Sequence, residues 1–444
     1  MDSAARVAPR LWRRAEIPPR HPRSGIALLL FAACAVPAPV LASGYALNEQ
    51  SVSAMGTAFA GRSSAAEDAT TLFGNPAGMS RLEREQVAGG FALIDARSDI
   101  DGAGGSFPGS NDGDMVPFSA VPFGYYVRPL NERWTFGVGV YVPFGLVTDY
   151  ERGYQGRYYA DRSEVKAYSL QPTLSLRLGE RLSIGFGLTF NRIHGELGSA
   201  LLNPLSPGRN DGRLRIEGDD FGVGYNLGVL YEITPAARVG LTYHSRVVYH
   251  LDGHTRVEGP GPVLGAAAGK YRARLDLTTP ESLELSLTWQ AGERLTLYAG
   301  STWTNWSRQE DITVENRGVG APFAASLGTL REEQDWHDSW LHAIGAAYRL
   351  GEKWTLRAGF ALDQTPIRNQ YRSPRIPNDD RQLFGAGLAW TPLPDLSLDL
   401  AYLYVHERDA KVARSAREHP AQGGYAARYE NDVSTFGAQL SYRF

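Results

Sequence analysis

Residues able to do chemistry are sparse in this chain of 444 residues, and they do not converge. The tightest acidic and imidazole group is Asp335-Trp336-His337-Asp338, and an Asp-His pair of that kind can activate water as a general base. No matching nucleophile or second acidic pair accompanies it, so a polar loop is the better reading and no catalytic residue is assigned. His244, His250 and His254 are the nearest set of metal-binding side chains. Their spacing matches no ligand pattern, and no metal or other cofactor is expected. The single cysteine, Cys34, lies in a segment expected to be removed, which leaves neither a disulfide nor a thiol nucleophile. Phe31-Ala32-Ala33 ahead of it fits a lipid-anchor site poorly. The chain reads as one that binds or moves something, and not as an enzyme.

Residues 1–42 hold six arginines, the apolar run Ile26 to Ala35, and Val40-Leu41-Ala42 before Ser43. That is a secretory signal, with cleavage expected after Ala42. The six arginines stand against Asp2 and Glu16, a net of +4, so removal takes the chain's −3 to −7. An acidic exported protein is a poor candidate for nucleic-acid binding. No other stretch offers about 18 consecutive apolar residues, so no transmembrane helix is expected.

Behind the signal, residues 43–79 are rich in Gly, Ala and Ser, carry single large side chains such as Tyr45, Leu47, Phe59 and Phe73, and end in Asn75-Pro76-Ala77. Small residues allow irregular backbone to pack closely, and the proline ends what precedes it. From Gln86 onward the dominant signal is period two. In the last stretch Phe436, Ala438, Leu440, Tyr442 and Phe444 alternate with Thr435, Gly437, Gln439, Ser441 and Arg443, one face for lipid and one for water. The same pattern recurs at Phe136 to Val142, Leu182 to Phe190, Phe221 to Ile233 and Leu396 to Tyr404. Tight turns, as at 179–181, 234–237 and 351–353, alternate with long links near 149–163, 194–219, 252–272, 311–338, 364–380 and 407–431. Short turns at one end and long loops at the other are the layout of an outer-membrane barrel.

The expected fold is therefore all-β, a transmembrane antiparallel β-barrel of about 14 strands. The expected division is a signal peptide at 1–42, an amino-terminal plug at 43–85 and the barrel at 86–444. Tyr126, Trp134, Tyr231, Trp289, Trp354 and Trp390 near strand ends suit interfacial girdles. A lumen this wide must be filled, and the plug is the filler.

Several blocks resemble the FadL-type outer-membrane transporters of long-chain fatty acids and other hydrophobic compounds. They are Ser43 to Glu49 (SGYALNE), Asn75-Pro76-Ala77, Val142 to Tyr150 (VPFGLVTDY) with Gly156-Arg157-Tyr158, Gly222 to Glu232, Gly240 to Ser245, Trp303 to Ser307, and Asp363 to Pro366 with Asp379-Asp380-Arg381. The resemblance covers the whole mature chain. It implies passive uptake from loop capture to a lumen pocket, then sideways exit through a gap in the wall once the plug, or hatch, shifts. Ligand-binding candidates are Tyr45, Leu47 and Phe59 in the hatch and Leu197, Leu201, Leu202 and Leu205 in an outer loop, where an apolar cluster suggests capture or self-packing over the mouth. Pro143, Phe144 and Gly145 are the candidate kink in strand three, and Asn75, Pro76 and Ala77 the hinge. Arg157 and Arg381 are candidate carboxylate partners by block membership, with a structural ion pair as the alternative.

Long-chain fatty acids are the first expected ligands, with aromatic hydrocarbons by the same route as the alternative. A general porin is the rival without a working hatch. The expected setting is the cell outer membrane, with lipid around a monomer.

Overall fold

The computed structural model describes residues 44–444; the expected signal at 1–42, and Ser43, lie outside them. Alternating apolar and polar side chains make strands throughout. They are β1 (Gln86–Gly105), β2 (Ser119–Pro129), β3 (Trp134–Asp149), β4 (Arg162–Arg177), β5 (Leu182–Leu201) and β6 (Gly212–Thr234). Next come β7 (Ala237–His244), β8 (Val247–Glu258), β9 (Gly269–Thr279), β10 (Ser282–Gln290), β11 (Leu295–Thr304) and β12 (Asp311–Arg317). The series ends with β13 (Thr329–Glu333), β14 (Ser339–Leu350), β15 (Trp354–Asp363), β16 (Arg381–Leu393), β17 (Leu396–Glu407), β18 (Ala410–Arg414) and β19 (Tyr425–Arg443). β7 with β8, β9 with β10, β11 with β12, β13 with β14 and β17 with β18 are successive pieces of single staves. The wall is thus a closed 14-strand antiparallel barrel. It closes where β1 pairs with β19, from Gln86 opposite Arg443 to Gly105 opposite Tyr425. Closure leaves no sheet edge, the condition for strands to cross lipid.

The last strand shows the division of faces: Phe436 and Leu440 are 55% and 40% exposed, while Thr435 and Gln439 are buried against the lumen contents. Trp134, Tyr231, Trp289, Trp354 and Trp390 are all exposed near the tight turns, and Trp354 stacks on Trp390 at 5.6 Å. They form one interfacial girdle.

The staves are longer than the apolar alternation indicates. The links expected near 194–219, 252–272 and 311–338 contain the tops of β5, β6, β8, β9, β12 and β13, with short helices at Gly261–Ala267 and Ala324–Leu327. The ladder continues there, but its outward side chains turn polar: His194 pairs with Asp219, and Glu196 with Glu217, across β5 and β6. Period two in hydropathy fades while period two in geometry persists.

Inside the tube, residues 44–85 make α1 (Val52–Met55), α2 (Thr71–Gly74) and a 3-10 turn at Pro76–Arg81. This hatch meets lumen-facing glycines of the wall. A Cβ on Gly240 would stand 1.8 Å from the Ser63 carbonyl oxygen, and one on Gly228 would stand 2.0 Å from Asn75 Oδ1. Hydrogen bonds then fix the hatch. Val52 N–H donates to Gln439 Oε1 (3.0 Å), and Gln439 Nε2 donates to Asp68 Oδ2 (3.0 Å). Arg62 Nε donates to Glu284 Oε2 (2.7 Å) across the lumen.

Candidate functional site: a wall window beside an apolar cavity

The site begins with two prolines. β2 and β3 pair only as far as Gly124 opposite Val140. Beyond that, Ser119 to Phe123 pair with β1 alone, and Tyr141 to Asp149 with β4 alone. Pro122 and Pro143 lie on the two unpaired margins, and proline cannot donate to a ladder. A register shift between Tyr141 and Phe144 bends β3 away from β2. The gap ends above, where Asp149 N–H donates to Met115 O (2.7 Å). The wall therefore has a window bounded at top and bottom.

The hatch arm fills this window as a fragment of strand. Ala46 bridges Phe144 in antiparallel register, Leu47 N–H donates to Pro143 O (2.8 Å), and Gly145 N–H donates to Tyr45 O (2.9 Å). The bulged Val142 is satisfied by a side chain. Gln50 Nε2 donates to Val142 O (2.5 Å), and Gln50 Oε1 accepts from Val142 N–H (3.3 Å). A primary amide presents the same donor and acceptor pair as a peptide group. Gln50 is fully buried, and its own carbonyl accepts from the Tyr125 hydroxyl (3.1 Å).

Tyr45 joins the window to a cavity. Its ring packs edge-on against Trp306 (4.8 Å) and tilted against Phe144 (5.7 Å) and Trp336 (6.1 Å). Its hydroxyl accepts from Gln309 Nε2 (2.5 Å), which also donates to Thr278 O (2.7 Å). Burial pushes the phenol pKa well above its ordinary value, so the group stays neutral. Beyond this aromatic group lies a cavity of about 850 Å³, its open mouth included, walled by Leu146, Val165, Leu197, Ile216, Leu251 and Leu275. Its charged rim is paired: Arg375 Nε meets Glu332 Oε2 at 2.6 Å, and Arg162 meets Asp149, Glu164 and Glu196 at 2.6, 2.8 and 3.2 Å.

The candidate residues fall in different places. Tyr45 and Leu197 line the cavity, and Leu47 is buried at the window. Phe59 sits in the hatch interior with the Arg62 guanidinium 5.8 Å from its ring. Leu197 and Leu201 stand on β5 rather than in a loop; Leu201 packs in a satellite cluster with Leu214 and Val257, Leu202 is half-buried, and Leu205 is 64% exposed. Phe144 and Gly145 hold the arm, as described. Asn75 is fully buried and donates to Ser63 O (2.7 Å) and Val229 O (3.0 Å), while its Oδ1 caps Ala77 N–H (2.9 Å). Pro76 and Ala77 are buried beside it. Arg157 pairs with Asp211 (2.9 Å) and donates to the Pro108 and Tyr154 carbonyls, tying outer loops together. Arg381 pairs with Asp363 (3.2 Å). Neither arginine lines the cavity.

Gln50, Gln309, Leu251 and Leu275 escaped sequence reasoning. Trp336 appeared there only as part of the Asp335–Asp338 group; it lines the cavity, and His337 Nδ1 faces the Asp338 backbone carbonyl (2.8 Å) and not a carboxylate. The usable signal for Trp306 was the Trp303 to Ser307 block, which carries a buried aromatic on a 3-10 turn.

Known proteins resemble this chain in sequence and in fold. Outer membrane protein P1 of Haemophilus influenzae is 28% identical over 452 residues, covering 91% of this chain and 95% of its own. The long-chain fatty acid transport protein of Escherichia coli K12 is 26% identical over 438 residues, covering 90% and 94%. Among solved structures, a FadL homologue of Pseudomonas aeruginosa superposes with a TM-score of 0.82 at 24% identity, covering 90% of this chain and all of that one. The Pseudomonas putida toluene transporter TodX superposes at 0.64 with 18% identity, covering 90% and 98%. A family model described as outer membrane protein transport protein (OMPP1/FadL/TodX) matches residues 33–444, and the chain belongs to that family of outer-membrane transporters of hydrophobic compounds.

Proposed function

We propose that the protein is a passive conduit for long-chain fatty acids, which collect in the apolar cavity and leave sideways through the β2–β3 window when the hatch arm is withdrawn. One observation carries this reading: Tyr45 is at once a wall of the cavity and the first residue of the strand fragment in the window. Withdrawing it opens both. The fixed end of the hatch is Asn75 to Ala77, anchored to β6, so the moving part is the arm of residues 44–50. Replacing Pro143-Phe144-Gly145 with a regular strand sequence lets β2 and β3 zip together, and oleate uptake into proteoliposomes is expected to fall. Uptake at the unaltered rate would overturn the route.

Fatty acids are favoured over aromatic hydrocarbons by charge. Arg375, at the rim, offers a cation that now pairs with Glu332, itself 27% exposed. Arg375→Gln is expected to weaken oleate binding about tenfold, the loss of one charged hydrogen-bond pair at about 1.4 kcal/mol, and to leave toluene binding unchanged. Equal effects on the two ligands, read by calorimetry, would favour the aromatic reading. Growth of a deletion strain on each compound as carbon source gives the same comparison in the cell.

A further inference from the structure

The wall has a second break, which the hatch does not touch. β6 runs without interruption, but its neighbour changes from β7 to β8 at Ser245-Arg246. β7 pairs with β6 no higher than His244 opposite Asn226, and β8 no lower than Asp252 opposite Asp219. Between those points the ladder lapses, and only its ends are stitched. Ser245 N–H donates to Tyr225 O (2.8 Å), Tyr225 N–H donates to Ser245 Oγ (2.8 Å), and His250 N–H donates to Asp220 Oδ2 (2.6 Å).

Apolar side chains alone close the middle. β6 carries Gly222 and Gly224 there, with Val247 and Tyr249 lying across them. A Cβ on Gly222 would stand 2.4 Å from Val247 Cγ1 and 2.7 Å from Tyr249 Cε1. On the lipid side, Phe221 is 73% and Val223 63% exposed, the former more than any other large apolar side chain among the described residues. On the lumen side, Val247, Tyr249 and Leu251 form one apolar cluster with Ala167 and Ile193, and Leu251 lines the cavity. Just below lies Asn226, fully buried, with neither its side-chain oxygen nor its nitrogen hydrogen-bonded. The joint between β9 and β12 differs: the buried Trp306 turn fills it, Gln309 bonds Thr278 O, and Arg308 and Asn305 are held by Glu281.

We infer that the β6–β8 joint is a second sideways exit from the same cavity, with Val247 and Tyr249 as its flap, Phe221 and Val223 as its lipid-side threshold, and the Asn226 amide as the contact for the solute's polar end. The inference rests on the cavity being the ligand site. Opening this joint requires side-chain rotation over two glycines and no movement of the hatch arm.

The test uses the full chain in proteoliposomes with oleate as probe. Cysteines at Gly222 and Val247 would have Cβ atoms near disulfide separation, so Gly222→Cys with Val247→Cys makes an oxidation-dependent lock. Oxidation is expected to lower oleate flux at least twofold, with recovery on reduction. Unchanged flux after disulfide formation, verified by mass spectrometry, would overturn the exit. A second measurement spares the glycine: a photoreactive residue replacing Val223 is expected to capture oleate several-fold more than one replacing the lipid-facing Val229 on the same strand. Equal capture would also overturn it. If the unmodified protein neither binds nor passes oleate, the cavity assignment fails instead, a result distinct from both.

Discussion

Gln50 and Glu49 show how little holds the arm in place. Gln50 stands in for the missing β2 strand at Val142, so Gln50→Ala leaves a buried N–H and C=O without partners. Each such group costs about 1–3 kcal/mol, enough to shift the seated arm toward release by tenfold or more. The expected result is loss of amide protection at Leu47 and Gly145 in hydrogen exchange, with faster oleate flux. Glu49 works in the opposite sense. It is buried with its Oε2 unbonded, and burial raises its carboxyl pKa, partly offset by a hydrogen bond from its own backbone N–H and by the Arg381 charge. On a released arm the pKa returns to the ordinary carboxylate value, so the seated form binds more protons. Seating is therefore strongest at low pH and weakens as pH rises above the ordinary carboxylate range. Protection factors for residues 44–50, corrected for intrinsic exchange, are expected to fall from pH 5 to pH 8 in the native chain. In Glu49→Gln they are expected to stay level.

At the scale of elements, the membrane-embedded strands were legible because lipid outside and polar groups inside impose opposite demands on alternate residues. β19 and the Trp354–Trp390 girdle follow directly from that. What stayed hidden lies where the demand lapses. The tops of β5 and β6 stand clear of lipid, so Glu196 opposite Glu217 carries no apolar signal, and Leu197 and Leu201 looked like a loop. The kink at Pro143 was readable from proline chemistry, but Pro122 looked like an ordinary strand residue until pairing set it on the opposite margin. Gln50 could not be found in advance, since an amide that replaces a peptide group leaves no pattern in the sequence around it. Leu251 and Leu275 alternate with polar neighbours on β8 and β9 as any strand residue does, and only the closed barrel brings them to one cavity.

At the scale of the whole molecule, the hatch and wall are one packed object. The wall gives up side chains at Gly240 and Gly228 so that hatch backbone can approach, and Gln439, Glu284 and Asn75 bind the two across the lumen. A plug seated this closely predicts a tube that conducts nothing while intact. Deleting residues 44–79 removes that packing while leaving the 14 staves paired to one another. The deleted protein in planar bilayers is expected to show large, steady ion conductance, against a silent native chain. A general porin would conduct with the hatch present, so native-chain conductance of similar size would overturn the transporter reading and not merely its details. Silence in both would mean that the wall collapses without its filler. Retention of the circular-dichroism strand signal by the deletion protein separates that collapse from a sealed lumen.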